Sequence, residues 1–305
     1  MTAGRTADGG RLVIVGPGRV GLSLAAGLAD SVPLASVEVR GRSEGRPSFL
    51  EGRPEIVFGL GPMDAVTPGT WLVLAVPDDA LEEAAREWAA SGRPAVPAVA
   101  LHTSGVHPAS VLAPLGDLGA SVAAWHPLTA VARPDSRALR GVTWGLEGDE
   151  AAREVAGRLT RALDGRTLPV ASGEHARYHA AAVFASNFLV ACLAAAADEL
   201  RAALEPGASA GVRDLLPLAR AALAQVERDG LETGLTGPVA RGDPGTVRAH
   251  LAVLPPERRS LYRGLARELL RLAAPGLPPE RAAELAEALA AEDAEALSRS
   301  EEGHP

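Results

Sequence analysis

Arg11-Leu-Val-Ile-Val-Gly-Pro-Gly-Arg-Val-Gly-Leu22 decides the fold. An apolar run, Leu12 to Val15, stops at Gly16. Gly18 and Gly21 then complete a G-x-G-x-x-G spacing before helical residues take over at Leu22. The order is strand, tight turn, helix start. In that setting the first glycine permits the turn, the second lets a pyrophosphate approach the backbone, and the third allows close packing of helix on strand. The free N–H groups and positive dipole end of the helix favour a phosphate. Gly16, Pro17, Gly18, Arg19, Val20 and Gly21 are therefore the expected dinucleotide cradle.

The following apolar run, Val37–Val39, leads into Arg40-Gly-Arg-Ser43. An acidic residue ending this strand accepts from the ribose 2′-OH of NAD, whereas an arginine accommodates the 2′-phosphate of NADP. Here Glu38 lies inside the strand, and Arg40, Arg42 and Ser43 stand at its end. Guanidinium forks and a hydroxyl suit a phosphate monoester. The expected cofactor is NADP(H); the plainer alternative is a solvated basic turn.

Composition narrows the chemistry. A chain of 305 residues is long enough for two domains. Its net charge of −8 argues against a nucleic-acid surface. Cys192 is the only cysteine, so neither an intrachain disulfide nor a cysteine-rich metal site is expected. There is no lysine; all 30 basic residues are arginine, which excludes Schiff-base chemistry and a lysine general acid. The alanine-rich stretch 180–197 carries Ser186 and Asn187 and reads as a buried helix rather than a membrane span. Residues 1–10 have no apolar core and read as a flexible leader, which makes the expected location cytoplasmic.

Apolar β-runs alternate with helical segments over 11–171, the pattern of an α/β doubly wound parallel Rossmann sheet. Beyond Ser172 strand signals stop. One long helix is expected over Glu174–Leu204, with others at Leu215–Asp229, Asp243–Leu254, Glu257–Ala273 and Glu280–Leu297. An all-α domain over 172–297 and a flexible tail at 298–305 complete the organisation.

Ligands of open α/β sheets bind at the carboxyl ends of strands. Three polar clusters stand there: Val76-Pro77-Asp78, His102-Thr103-Ser104 and His126-Pro127-Leu128-Thr129. Val76, Pro77, Asp78 and Thr103 are expected beside the cofactor, and Ser104 beside the substrate. His102 and His126 are candidate proton donors, since imidazole titrates near neutrality. Each is equally open to a loop-fixing role. No carboxylate or cysteine completes a ligand set with His102 and His107, so no metal is expected. On the long helix His175, His179 and Ser186 share a face bordered by Asn187. Asn187 and Ser186 are the substrate-side candidates, and His175 is expected to be exposed. In Leu235–Asp243, Thr236 and Arg241 are candidates for closing the site and holding a carboxylate. Alternatively, Asp243 caps the next helix with Arg241 beside it.

These motifs, with Tyr-His-Ala-Ala-Ala-Val-Phe-Ala-Ser-Asn at 178–187 and Leu-Thr-Gly-Pro-Val-Ala-Arg-Gly-Asp at 235–243, resemble Rossmann-like NADP-binding proteins with a C-terminal helical domain of unknown function. That family is similar in architecture to pyrroline-5-carboxylate reductase, prephenate dehydrogenase and ketopantoate reductase. The resemblance implies an NADPH-dependent reductase of a small 2-oxo acid or imine, with ketopantoate one candidate, and a homodimer formed through the helical domain. Relatives often carry a lysine where this chain has His175. With no lysine available, the resemblance leaves His126, His102 or His179 to supply the proton and Asn187 to orient the carbonyl. A non-catalytic NADP-binding sensor or assembly protein is the alternative reading.

Overall fold

The computed structural model describes residues 10–32, 34–61, 69–90 and 96–290. Strand β1 (Arg11–Val15) sits at the centre because its side chains are apolar on both sides. Leu12 and Ile14 enter one core with Leu24, Leu28 and Trp125. Val13, between them, enters the other with Leu72, Leu74 and Trp88. A strand with both faces covered reads as a continuous hydrophobic run. Helix α1 (Arg19–Ser31) follows the glycine turn.

The remaining elements of the sheet are β2 (Ser36–Gly41), β3 (Ile56–Leu60), β4 (Trp71–Leu74), α2 (Leu81–Ala90), β5 (Val99–His102), α3 (Ala113–Gly116), β6 (Ser121–Pro127), β7 (Thr143–Gly148), α4 (Glu150–Ala162) and β8 (Arg166–Pro169). The strand order is β3-β2-β1-β4-β5-β6-β7-β8. The order reverses between β1 and β4, which opens a crevice at their carboxyl ends. Six strands run parallel, as the alternating pattern predicts. The last two do not: β7 is antiparallel to β6, with Pro127 opposite Trp144. A parallel return needs a crossover, usually a helix, and 128–142 holds turns only. The chain comes back at the edge it left. Helix α4 then supplies such a crossover, and β8 lies parallel to β7.

Beyond β8 come α5 (His175–Ala185), α6 (Asn187–Ala202), α7 (Val212–Thr233), α8 (Pro244–Val253), α9 (Pro256–Ala273) and α10 (Pro279–Ala290). The single helix expected over Glu174–Leu204 is two helices broken at Ser186. Ser186 Oγ reaches back to the Ala182 carbonyl at 2.6 Å, and its N–H bonds Val183 O. Such back-bonding bends helices. The stretch is not buried as expected: Phe184 and Val190 are 68% and 67% exposed. Among the described residues His175–Ala202 is the one stretch long and apolar enough to cross a membrane, by length and composition.

The chain divides into two compact units between Asn187 and Phe188, sixteen residues beyond the boundary expected at 171. The difference is α5, whose Tyr178 bonds β6, so the helix belongs to the sheet unit. In the second unit a core of Val239, Val247, Leu251, Ala266, Leu285, Ala288 and Leu289 joins α8, α9 and α10. Most of the expected leader (all but Gly10), the whole tail and the end of the helix expected to reach Leu297 lie outside the described residues.

Candidate functional site

The glycine turn is built as its spacing demands. Gly16 has φ +108°, and a Cβ there would lie 2.3 Å from Ala75 O. A Cβ on Gly21 would lie 2.0 Å from Gly16 O, so only glycine lets α1 close onto the turn. Around Gly18 a Cβ would meet nothing within 4 Å. That open side is where a phosphate would approach. Gly18 is the N-cap of α1 with no side-chain cap, and the first turn holds no acidic residue. The first N–H groups of a helix have no partner within it, and no side-chain cap among the described residues takes them here.

A cleft of about 200 Å³ opens from this turn at the β1–β4 crevice. Gly16, Pro17, Gly18, Val76, Pro77, Arg40 and Arg42 all line it. Arg19 and Val20 lie in the first turn of α1, Ser43 is exposed beside Arg42, and Asp78 opens a tight turn ahead of α2; none of these four lines the cleft. Thr103 is half-buried, its N–H bonding Leu74 O at the end of β4. The two arginines differ. Glu38 is buried and binds Arg11 at 2.9 Å and Arg40 Nε at 3.0 Å. Arg40 Nη1 also donates to Leu60 O at 3.1 Å. Arg42 is exposed, without an ion-pair or hydrogen-bond partner among the described residues.

A second cavity, of about 530 Å³, lies within the same unit. It gathers His126 from the end of β6 with Tyr178, His179, Ser186 and Asn187 from α5 and its C-terminus. The histidine rings sit 6.1 Å apart at 78°. Gly105 makes room for them, because a Cβ there would lie 2.7 Å from His179 Cδ2 and 2.9 Å from His126 Nε2. The loop after β5 thus runs from Thr103, tied to β4, to Gly105, packed on both rings. Ser186 Oγ lies 3.0 Å from Asn187 Oδ1, and the Asn187 amide nitrogen has no hydrogen-bond partner among the described residues.

Three sequence expectations change here. His102 is fully buried, with Nε2 donating to Pro108 O at 3.1 Å and Nδ1 accepting from Ser104 N–H at 3.2 Å. Both ring nitrogens serve the loop, and burial pushes the imidazole down to about 4. It offers a ligand no free nitrogen, so it is not a proton donor to substrate. Ser104 likewise accepts from the N–H groups of Val106 and His107 and shapes the same loop instead of a substrate site. His175 is 4% exposed rather than open to solvent, with Nε2 3.9 Å from Glu147. Burial lowers its pKa, against the opposing pull of Glu147. Thr236 and Arg241 belong to the helical unit and are exposed. There Asp243 caps α8 by accepting from Thr246 N at 3.0 Å.

Sequence reasoning missed Tyr178 as a site residue. Its hydroxyl lies 3.0 Å from His126 Nδ1. The pairing spans 52 residues, and only the fold brings it together. Burial pushes the Tyr178 phenol up and the His126 imidazole down to about 4, so His126 is neutral at neutral pH.

Residues 7–127 match a Rossmann-like domain, and residues 142–269 match a domain of unknown function, DUF2520. The chain is a Rossmann-like protein carrying a DUF2520 domain. The DUF2520 match begins where the sheet reverses, so that domain takes in β7, α4 and β8 as well as helices. No curated protein matches the chain. Among solved structures, a Bacteroides fragilis protein provisionally assigned as an NADP oxidoreductase superposes with a TM-score of 0.65 at 22% identity, covering 86% of this chain and 98% of its own. Thermotoga maritima TM1727 gives 0.65 at 23% identity, covering 87% and 99%. A pyrroline-5-carboxylate reductase from Coxiella burnetii gives 0.53 at 18% identity, covering 91% and 99%. At these identities the likeness is one of fold.

Proposed function

We propose that this Rossmann-like, DUF2520-bearing chain is an NADP(H)-dependent reductase of a small 2-oxo acid or imine, acting as a homodimer. The observation that carries the reading is the presence, within one unit, of a dinucleotide cradle and a cavity lined by His126, His179 and Asn187. Two of the three structures compared above carry names that agree with it: an NADP oxidoreductase and a pyrroline-5-carboxylate reductase. The residues present fit the cofactor. The start of α1 would hold the pyrophosphate on its N–H groups, Gly18 would leave it room, and Arg42, with Arg40, would take the 2′-phosphate.

When bound, the nicotinamide supplies a hydride; the chain's own side chains manage charge and orientation. Reduction of a carbonyl leaves negative charge on oxygen, which needs a donor within hydrogen-bond reach. Among the described residues His126 Nε2 and His179 have no hydrogen-bond partner and line the cavity as donors, and the Asn187 amide orients the substrate without titrating. The test follows NADPH oxidation by its near-ultraviolet absorbance against small 2-oxo acids and cyclic imines, ketopantoate included. Asn187→Ala should lower kcat/KM about 10²-fold with NADPH affinity unchanged, since one positioned donor contributes about 2.7–4 kcal/mol. Tight NADPH binding with no turnover across the panel would favour a cofactor-sensing role instead.

A further inference from the structure

We propose that Tyr178 locks His126 into the tautomer with its proton on Nε2, so that the cavity offers a donor to the reacting atom and selects oxo compounds over protonated imines. The inference rests on reading this cavity as the reducing site. The lock itself rests on the Tyr178–His126 contact and on a neutral His126 ring.

The Tyr178 hydroxyl has one proton and two partners in reach, His126 Nδ1 at 3.0 Å and the His126 carbonyl oxygen at 3.5 Å. The nearer has ordinary hydrogen-bond length, and the farther is at the limit. Gly145 backs the hydroxyl closely, since a Cβ there would sit 2.5 Å from it. The phenol proton goes to the nearer partner, Nδ1. A neutral imidazole carries one proton, so it must be on Nε2. The ring stays neutral because burial and the nearby His179 and His175 outweigh the pull of Asp78.

Nε2 has no hydrogen-bond partner among the described residues, and His126 lines the cavity. A fixed Nε2–H meets a carbonyl oxygen as donor to acceptor. It meets the N–H of a protonated imine as donor to donor, leaving both unsatisfied. Tyr178 is thus a positioning residue that sets the polarity of the site.

Two-bond ¹H–¹⁵N correlation spectra of the full chain, with His126 assigned by its loss in His126→Asn, read the tautomer directly. The expected result is a protonated Nε2 and a bare Nδ1 in the wild type, and averaged nitrogens in Tyr178→Phe. A proton on Nδ1 in the wild type would overturn the lock without any variant having to fold. For selectivity, Tyr178→Phe should lower the kcat/KM ratio of a 2-oxo acid to a cyclic imine of matched size about tenfold, measured where the imine is protonated. An unchanged ratio would overturn the selection. Absence of turnover with every substrate would overturn the reductase reading and the selection resting on it, while the spectra still decide the lock.

Discussion

The sheet unit and the helical unit use the same apolar residue types to opposite ends. In the first, Leu12, Val13 and Ile14 are fully buried, and so are Leu72, Val73 and Leu74 on the adjacent strand. In the second, α7 buries none of its 22 residues, and α6 buries only Ala195 and Ala197. Leu218 is 70% exposed and Leu231 60%. The sheet carries its own cover, with α1 and α4 on one face and α2 and α3 on the other. Helices α6 and α7 carry apolar faces with little of their own unit over them. Patches of that kind mark interaction surfaces. The sheet unit encloses its apolar residues, and the helical unit leaves many of its own exposed.

The largest expected effect sharpens the contrast through acid. His102 and His126 are both held down to about 4, chiefly by burial, against an ordinary value of 6.5. Between those values the unfolded chain binds protons that the folded unit does not, so stability is full above 6.5 and falls as pH drops toward 4. Each group accounts for about 3 kcal/mol across that interval. All four tryptophans, Trp71, Trp88, Trp125 and Trp144, belong to the sheet unit, so their fluorescence reports that unit alone. Urea midpoints followed by tryptophan emission should fall clearly from pH 7 to pH 5. His102→Gln should flatten the dependence. A pH-independent midpoint would mean that the histidines are not held neutral by burial.

The second expectation concerns the uncovered helices. A second copy laid on the α6 and α7 faces would cover them, and light scattering at micromolar concentration should return twice the 31.2 kDa chain mass. A stable monomer would break the comparison, leaving those faces to lipid or to another protein. Partition of the purified chain into vesicles would distinguish the first of these.

Legibility followed the range of the interaction. The glycine turn was readable because its spacing is local: Gly16, Gly18 and Gly21 fall within six residues, even though the Gly16 approach to Ala75 crosses to the neighbouring strand. The parallel run of the first six strands followed from alternation. The reversal at β7 was not readable, since it depends on 128–142 lacking a helix rather than on any residue of β7. The break at Ser186 turns on one hydroxyl choosing the Ala182 carbonyl, which composition leaves open. His102 and His126 look alike as strand-end histidines, yet one spends both nitrogens on its own loop and the other keeps one for the cavity. That difference depends on Pro108 and Tyr178, a near neighbour and a distant one, and neither pairing has a spacing signature.

The smallest effect tests the cofactor end of the sheet unit, where two arginines that read alike in sequence are placed unlike in structure. Arg40 is held by Glu38 and the Leu60 carbonyl beneath the cleft, whereas Arg42 stands exposed at its rim. A 2′-phosphate arriving there takes a direct charge-assisted bond from Arg42, and such bonds contribute about 1.5–3 kcal/mol. Arg42→Ala should therefore weaken NADPH at least about tenfold and NADH hardly at all. Arg40→Ala should act differently. It leaves the Glu38 carboxylate, only 6% exposed, with Arg11 as its one remaining ion-pair partner among the described residues, so the loss should appear in the stability of the sheet unit as well as in NADPH binding. Calorimetric titration of both nucleotides, run beside tryptophan-monitored unfolding, separates the two outcomes. Equal affinity of the wild type for NADH and NADPH would remove the assignment of Arg42 to a phosphate.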